Sequence, residues 1–161
     1  MSDRYRIVSV DLTARASTLA KAGLSRESYR QVMANPPYYR EGTVRSGAAR
    51  RRAHVMGAGN LESWVKFLVT MTAAKGVITL IHMPQALPEL LGLLEPRLGD
   101  ITIYPLYPRA GLPATRVIIQ GRKGSKAPLK LLHGLVLHEE DGRYSPKAEA
   151  VLRGGEGLDL V

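Results

Sequence analysis

The sequence predicts an α/β fold, the second half of a doubly wound sheet, and three observations carry that prediction. Val77-Ile78-Thr79-Leu80-Ile81-His82 is continuously apolar, the pattern of a strand covered on both faces. Helical periodicity flanks this run on both sides, over residues 61–75 and roughly 85–97. Asp100–Tyr107 and Arg116–Gly121 read as two further strands, joined by Pro108-Arg109-Ala110-Gly111-Leu112-Pro113. That connection is too short for a crossover helix, so the C-terminal strand pair is expected to be antiparallel. Strand, helix, strand, helix, strand, turn, strand is half of a doubly wound sheet.

In chain order, residues 5–12 alternate as a strand ending at Asp11. Residues 14–23 form a short helix closed by Gly23. A strand follows at 30–34, built on the apolar Val32-Met33-Ala34, then a polar loop with Gly and Arg from about 39 to 59. The helix at 61–75 has Asn60 as its N-cap and Gly76 at the αL position that ends it. Pro84 opens the helix at 85–97, where Leu87, Leu90, Leu91 and Leu94 make one apolar stripe. Beyond Arg122 the chain is rich in Gly, Ser and Lys, and Leu131–His138 reads as a final strand. Residues 145–153 form a helix capped by Ser145, with Pro146 at its first position. Residues 1–161 are expected to be a single partial domain: sheet and helices over 5–121, and a C-terminal extension over 122–161.

Composition narrows the classes of function. With 45% hydrophobic residues the chain can bury a core. Zero cysteines exclude a disulfide scaffold, a thiolate zinc site and a thiol nucleophile. No apolar run approaches the ~18 residues of a membrane span, and the charged N-terminus lacks a signal-peptide core. A cytoplasmic protein is the expectation. Lys and Arg number 23 against 14 Asp and Glu, a formal charge of +9. Such an excess suits a polyanion, because each cation that neutralises a phosphate releases a counterion; a generically basic protein fits the charge equally well. His54, His82, His133 and His138 lack metal-ligand spacing, and no metal site is expected. His82 ends a buried strand and is assigned a structural role, as are Trp64 and Phe67 on the helix at 61–75.

Asn35-Pro36-Pro37-Tyr38, directly after the strand at 30–34, carries the chemistry. A base amino group is a poor nucleophile because its lone pair is delocalised into the ring. The Asn35 side-chain oxygen and the Pro36 carbonyl can accept both amino hydrogens, moving electron density onto nitrogen as a new bond forms. The prolines fix φ, so the acceptors are placed before substrate arrives. Tyr38 offers a face for an extruded base. An ordinary Asn-Pro turn has the same composition.

Val32-Met33-Ala34-Asn35-Pro36-Pro37-Tyr38-Tyr39-Arg40 resembles the motif of S-adenosylmethionine-dependent amino-methyltransferases. Downstream, the text is similar to the tRNA1(Val) adenine-N6-methyltransferase-like proteins. The stretches that carry this are Gly59-Asn60-Leu61-Glu62-Ser63-Trp64, Thr79-Leu80-Ile81-His82, Arg122-Lys123-Gly124-Ser125-Lys126-Ala127-Pro128-Leu129 and Tyr144-Ser145-Pro146-Lys147-Ala148-Glu149-Ala150. The resemblance implies a Rossmann-like class I methyltransferase sheet that transfers a methyl group to adenine N6 of tRNA. It gives Asn35, Pro36, Pro37 and Tyr38 the catalytic positions and Asp11 a contact to the cofactor; a capping Asp at a strand end is the structural reading of the same residue. Arg45, Arg50, Arg51 and Arg52, in the loop after the motif, are expected to grip RNA phosphates, with Lys123 and Lys126 as a second basic group.

The family's glycine-rich cofactor loop has no counterpart before Asp11. Gly57-Ala58-Gly59-Asn60 lies on the wrong side of the motif and lacks the third glycine. The expectation is a sheet truncated in its N-terminal half, with S-adenosylmethionine bound if the cofactor half is supplied from elsewhere or the start is misplaced. Two alternatives stay open: a non-enzymatic remnant that binds RNA or oligomerises, and a protein glutamine N5-methyltransferase. Without the family's first strands the sheet has an apolar edge, expected to be covered by a second copy of the chain or by a rearranged N-terminus.

Overall fold

The computed structural model describes residues 5–37 and 61–160. Their elements are α1 (Ala16–Lys21), β1 (Tyr29–Ala34), α2 (Leu61–Met71), β2 (Thr72–His82), a 3-10 turn (Pro84–Ala86), α3 (Leu87–Leu94), β3 (Leu98–Tyr107), β4 (Arg116–Lys123), β5 (Lys130–Leu131), β6 (Leu135–Val136) and α4 (Pro146–Leu152). The strands form one sheet in the order β1-β2-β4-β3-β5, and β6 also pairs with β3. β1 and β2 are parallel, while β4 runs antiparallel to both β2 and β3. The expected half of a doubly wound sheet with an antiparallel C-terminal pair is what forms.

Period-two alternation sends side chains of each strand to opposite faces. On one face Ile78, Leu80, Ile101, Ile103, Val117 and Ile119 pack with Val65 and Leu68 of α2 and Leu90 and Leu94 of α3. The leucine stripe of α3 is thus the core stripe, and each such buried side chain contributes about 1.5–3 kcal/mol by leaving water. On the other face Tyr104 and Leu106 of β3 meet Leu135 of β6 and Ala148 of α4, with Ile81 and Ile118 packed alongside. Ser145 caps α4 as expected: its Oγ accepts from the Ala148 N–H at 3.2 Å and donates to the Val136 carbonyl at 2.6 Å. Gly23 closes α1 with φ of 78°, in the left-handed region.

Several expectations are corrected. Residues 5–12 form no strand; Tyr5 and Ile7 are 79% and 86% exposed, and among the described residues no strand pairs with them to satisfy the backbone. The second helix stops at Met71 and passes directly into β2, so residues 72–75 are strand. Thr70 and Thr72 turn their hydroxyls back to the Lys66 and Leu68 carbonyls, both at 2.7 Å, and these β-branched residues favour extended backbone. Lys75, not Gly76, takes the positive φ, at 60°. Gly76 is needed for space: a Cβ there would lie 2.7 Å from Thr72 Cγ2 and 3.0 Å from the Arg30 carbonyl oxygen.

The bulge at this point is large. Tyr29 pairs with Thr72 and Gln31 with Val77, so five residues of β2 advance against two of β1. The helix expected over 85–97 is shorter, a 3-10 turn followed by α3, because Pro88 at the start of α3 donates no backbone bond. The strand expected over 131–138 breaks into β5 and β6, both parallel to β3. Gly134 separates them with φ of 79°. The expected Asn60 cap lies outside the described residues.

Candidate active site

β1, β2 and β3 point the same way, so Ala34, His82 and Tyr107 end at one edge of the sheet, where β4 begins. Asn35, Pro36 and Pro37 emerge at this edge. Asn35 is exposed, Pro36 is fully buried and Pro37 is half-buried. An exposed amide on a buried proline is an acceptor on a fixed base. Asn35 and Pro36 each precede a proline, which confines them to extended ψ, and both prolines have φ fixed by the ring.

The neighbour across the edge is His82, only 4% exposed. Ala34 pairs with Leu80, so extending the parallel register brings residue 36 beside residue 82. The backbone of Met83 and of Pro37 lies near the imidazole. Burial holds its pKa below the ordinary 6.5; those backbone contacts and Glu89 oppose the shift, and Arg116 adds to it. His82 is therefore neutral at pH 7. Its place against the motif has one cue in the sequence, its position two residues beyond the apolar Leu80, and that cue becomes readable only once the β1–β2 register is known.

The other expected site residues fall elsewhere. Tyr38, Arg45, Arg50, Arg51 and Arg52 lie outside the described residues. Asp11 sits on the irregular N-terminal segment, exposed, and does not cap α1, whose N-cap position is Arg15. Its Oδ1 accepts from the Thr13 N–H at 2.8 Å and from Thr13 Oγ1 at 2.7 Å, an Asx turn that lowers its pKa.

Lys123 and Lys126 lie at the far edge, because β4 runs opposite to β1 and β2. Seven residue steps along β2, from Lys75 to His82, separate the two edges by roughly 23 Å at the ordinary strand rise. Lys123 is also fully engaged, its Nζ donating to Glu27 Oε1 at 2.9 Å and to the Val69 and Thr72 carbonyls at 3.0 and 2.8 Å. Three donors meet three acceptors, so this ammonium ties α2 and the β2 bulge to β4. Lys126 is exposed and lines a shallow cavity of about 290 Å³ with Glu95, Leu98, Gly99, Ile101 and Leu129, also at the far edge. That cavity is not part of the motif's surroundings.

No family model and no curated protein matches the chain. Among solved structures, it is similar to the predicted O-methyltransferase Atu636 from Agrobacterium tumefaciens, with TM-score 0.74 and 26% identity. The match covers 94% of this chain and 64% of that one, so the chain spans just under two thirds of its neighbour's length. Two weaker matches have TM-score 0.42: the M1.HpyAVI–SAM complex, at 10% identity over 73% of this chain and 52% of that one, and TTHA0409 from Thermus thermophilus, named as a DNA modification methylase, at 14% over 68% and 52%.

The class that fold and site define is a methyltransferase-like α/β sheet, with Asn-Pro-Pro at the edge where its parallel strands end. The solved structure with TM-score 0.74 is described as a predicted O-methyltransferase. Among the described residues no helix is long and apolar enough to cross a membrane.

Proposed function

We propose that this chain carries the acceptor side of an S-adenosylmethionine-dependent methyltransferase whose substrate is an exocyclic amino group, adenine N6 of tRNA. The observation that supports this reading is the placement of Asn35 on the buried Pro36 at the end of β1. An amino group offers two hydrogens, and Asn35 and Pro36 offer two acceptors. An oxygen acceptor has at most one hydrogen to give, so the pair suits nitrogen better than oxygen. Accepting both hydrogens raises electron density on the nitrogen, and the proton that methylation sets free would pass to solvent water. For the Pro36 carbonyl to take part, the atoms that cover Pro36 must give way as substrate enters.

The methyl donor supplies the electrophilic carbon when bound. The described residues do not form a cradle for it: Asp11 is exposed, off the sheet, and its Oδ1 is occupied by Thr13. No step is therefore routed through the donor. Arg45, Arg50, Arg51 and Arg52 follow the motif in sequence and are the proposed phosphate contacts. Lys123 is left out of that interface, since its donors are already bonded.

A second reading is a non-enzymatic module that pairs with its own copy. It is favoured by β1 standing at the end of the strand order with Met33 80% exposed. Calorimetric titration of the 161-residue chain with S-adenosylmethionine separates the two. Heat of binding is expected for an autonomous enzyme. Its absence, together with a dimer in size-exclusion chromatography, would establish the second reading, whereas a monomer would remove it.

A further inference from the structure

A pair of rings that the amino-acceptor chemistry leaves unused stands at the same edge as the motif. β6 runs parallel to β3, with Leu106 opposite Leu135 and Tyr107 opposite Val136, so the chain leaves β6 at the edge where it leaves β1. It then turns through a short hairpin in which His138 bridges Tyr144. The two rings stack, with centroids 4.9 Å apart and planes 25° from parallel. In the strand order β6 lies four spacings from β1, roughly 19 Å at the usual separation of neighbouring strands.

The stack is anchored. The Pro108 carbonyl accepts twice from His138, from its main-chain N–H at 3.1 Å and from ring Nδ1 at 3.2 Å. A carbonyl can only accept, so the proton sits on Nδ1 and the neutral ring keeps its lone pair on Nε2. The Glu139 N–H donates to the Arg143 carbonyl and the Ser145 N–H to the Leu137 carbonyl, both at 2.9 Å, and Gly142 makes the turn with φ of 85°. Tyr144 nevertheless remains 39% exposed. An aromatic face ordered in advance and left in water loses little further freedom when a ligand covers it.

The flanking charges set the course of such a ligand. The β3–β4 turn lies between the hairpin and the motif. It carries Arg109, which is exposed and follows Pro108, the residue that holds His138; no ion pair among the described residues engages it. Glu139 and Glu140 are exposed in the hairpin, beyond β6, and repel phosphate on that outer side, while Asp141 is neutralised by Arg143 at 2.7 Å. A flat face with a cation on its inner side and carboxylates on its outer side suits a nucleic-acid strand that runs inward, toward Asn35. We propose that Tyr144, stacked on His138, is a subsite for a base of the RNA that presents the target adenine, with Arg109 contacting the phosphates between. At ~3.4 Å per nucleotide along one stacked strand, the two sites are about five or six nucleotides apart. The subsite rests on the RNA reading of the motif for its ligand.

The test is fluorescence anisotropy of fluorescein-labelled, unmodified tRNA titrated with the 161-residue chain. Tyr144→Leu keeps apolar bulk and loses the aromatic face, and is expected to weaken binding about tenfold, the size of one lost base stack. Tyr144→Phe keeps the face and is expected to restore wild-type affinity. Arg109→Ala is expected to weaken binding severalfold and to lower the salt slope by about one. In the wild type, the ring-proton signals of Tyr144 and His138 are expected to shift on adding the same tRNA, a readout that stands if Tyr144→Leu unfolds. Wild-type tRNA binding that leaves those signals in place, or that folded Tyr144→Leu matches, would overturn the inference and leave the tRNA reading intact. No tRNA binding by the wild type would overturn both. Binding through Tyr144 in a chain that transfers no methyl group would uphold the subsite and remove the enzymatic reading.

Discussion

The two edges of the sheet are both rigid, but for different physical reasons. At the edge where β1 and β2 end, rigidity is covalent: two consecutive prolines restrict the backbone of Asn35-Pro36-Pro37, and the buried His82 ends the neighbouring strand beside them. At the opposite edge, rigidity comes from tertiary hydrogen bonds. Lys123 gathers the end of α2, the start of β2 and Glu27, while Arg122 donates to the Lys75 carbonyl at 3.1 Å and both Arg122 and Lys130 approach Asp100. The first edge holds a side chain out toward solvent. The second turns Lys123, Arg122 and Lys130 to internal acceptors, while Lys126 stays exposed. A basic residue near the C-terminal end of this chain is therefore no indication of a nucleic-acid contact until its acceptors have been counted.

Replacing Lys123 tests that contrast most strongly. Lys123→Met leaves the Val69 and Thr72 carbonyls without their shared donor, and stability is expected to fall by about 1–3 kcal/mol. Urea unfolding would show it as a lower midpoint at unchanged slope. Affinity for RNA is expected to stay the same. A variant of wild-type stability with weaker RNA binding would reverse the assignment of the two edges.

Acid should distinguish the edges by a smaller effect. The folded-state pKa of His82 lies below its ordinary 6.5, so its contribution is complete above that value and is lost as pH falls below it. Glu27, whose pKa is lowered chiefly by its hydrogen bond to Lys123, loses its contribution only below the ordinary 4.5. The melting temperature is therefore expected to decline between pH 6.5 and pH 5 in the wild type and to be flatter in His82→Gln. An identical slope in both proteins would mean that another group is titrating.

The fold was legible where one physical signal dominated. The unbroken apolar run 77–82, the leucine stripe of α3, the short turn before β4 and the Ser145-Pro146 helix start all formed where the residues point. The failures share a cause: local patterning was overruled by what the neighbouring chain provides. Residues 5–12 alternate like a strand, yet a strand needs a partner edge to satisfy its backbone. Residues 72–75 extend a helical pattern, yet Thr72 pairs with Tyr29 and draws them into the sheet. Gly76 was identified as important for the wrong reason, a left-handed cap rather than close approach to Thr72 and Arg30. At the candidate site, the position of Asn35 and the prolines at the end of a strand could be read directly, because their backbone constraint is covalent. His82 could not, because its place beside Pro36 depends on the β1–β2 register.

The central claim is that Asn35 and Pro36 receive an amino group. Its most direct measurement identifies where label from S-adenosylmethionine ends up when the chain is incubated with unmodified tRNA, by nucleoside mass spectrometry. The account predicts N6-methyladenosine in the wild type and a loss of about 10²-fold or more in Asn35→Ala, the effect of removing one preorganised hydrogen-bond partner. The melting temperature of that variant is measured beside it, so that loss of transfer is told apart from loss of fold. Label on a ribose or other oxygen, or N6-methyladenosine formed equally well by Asn35→Ala, would contradict it.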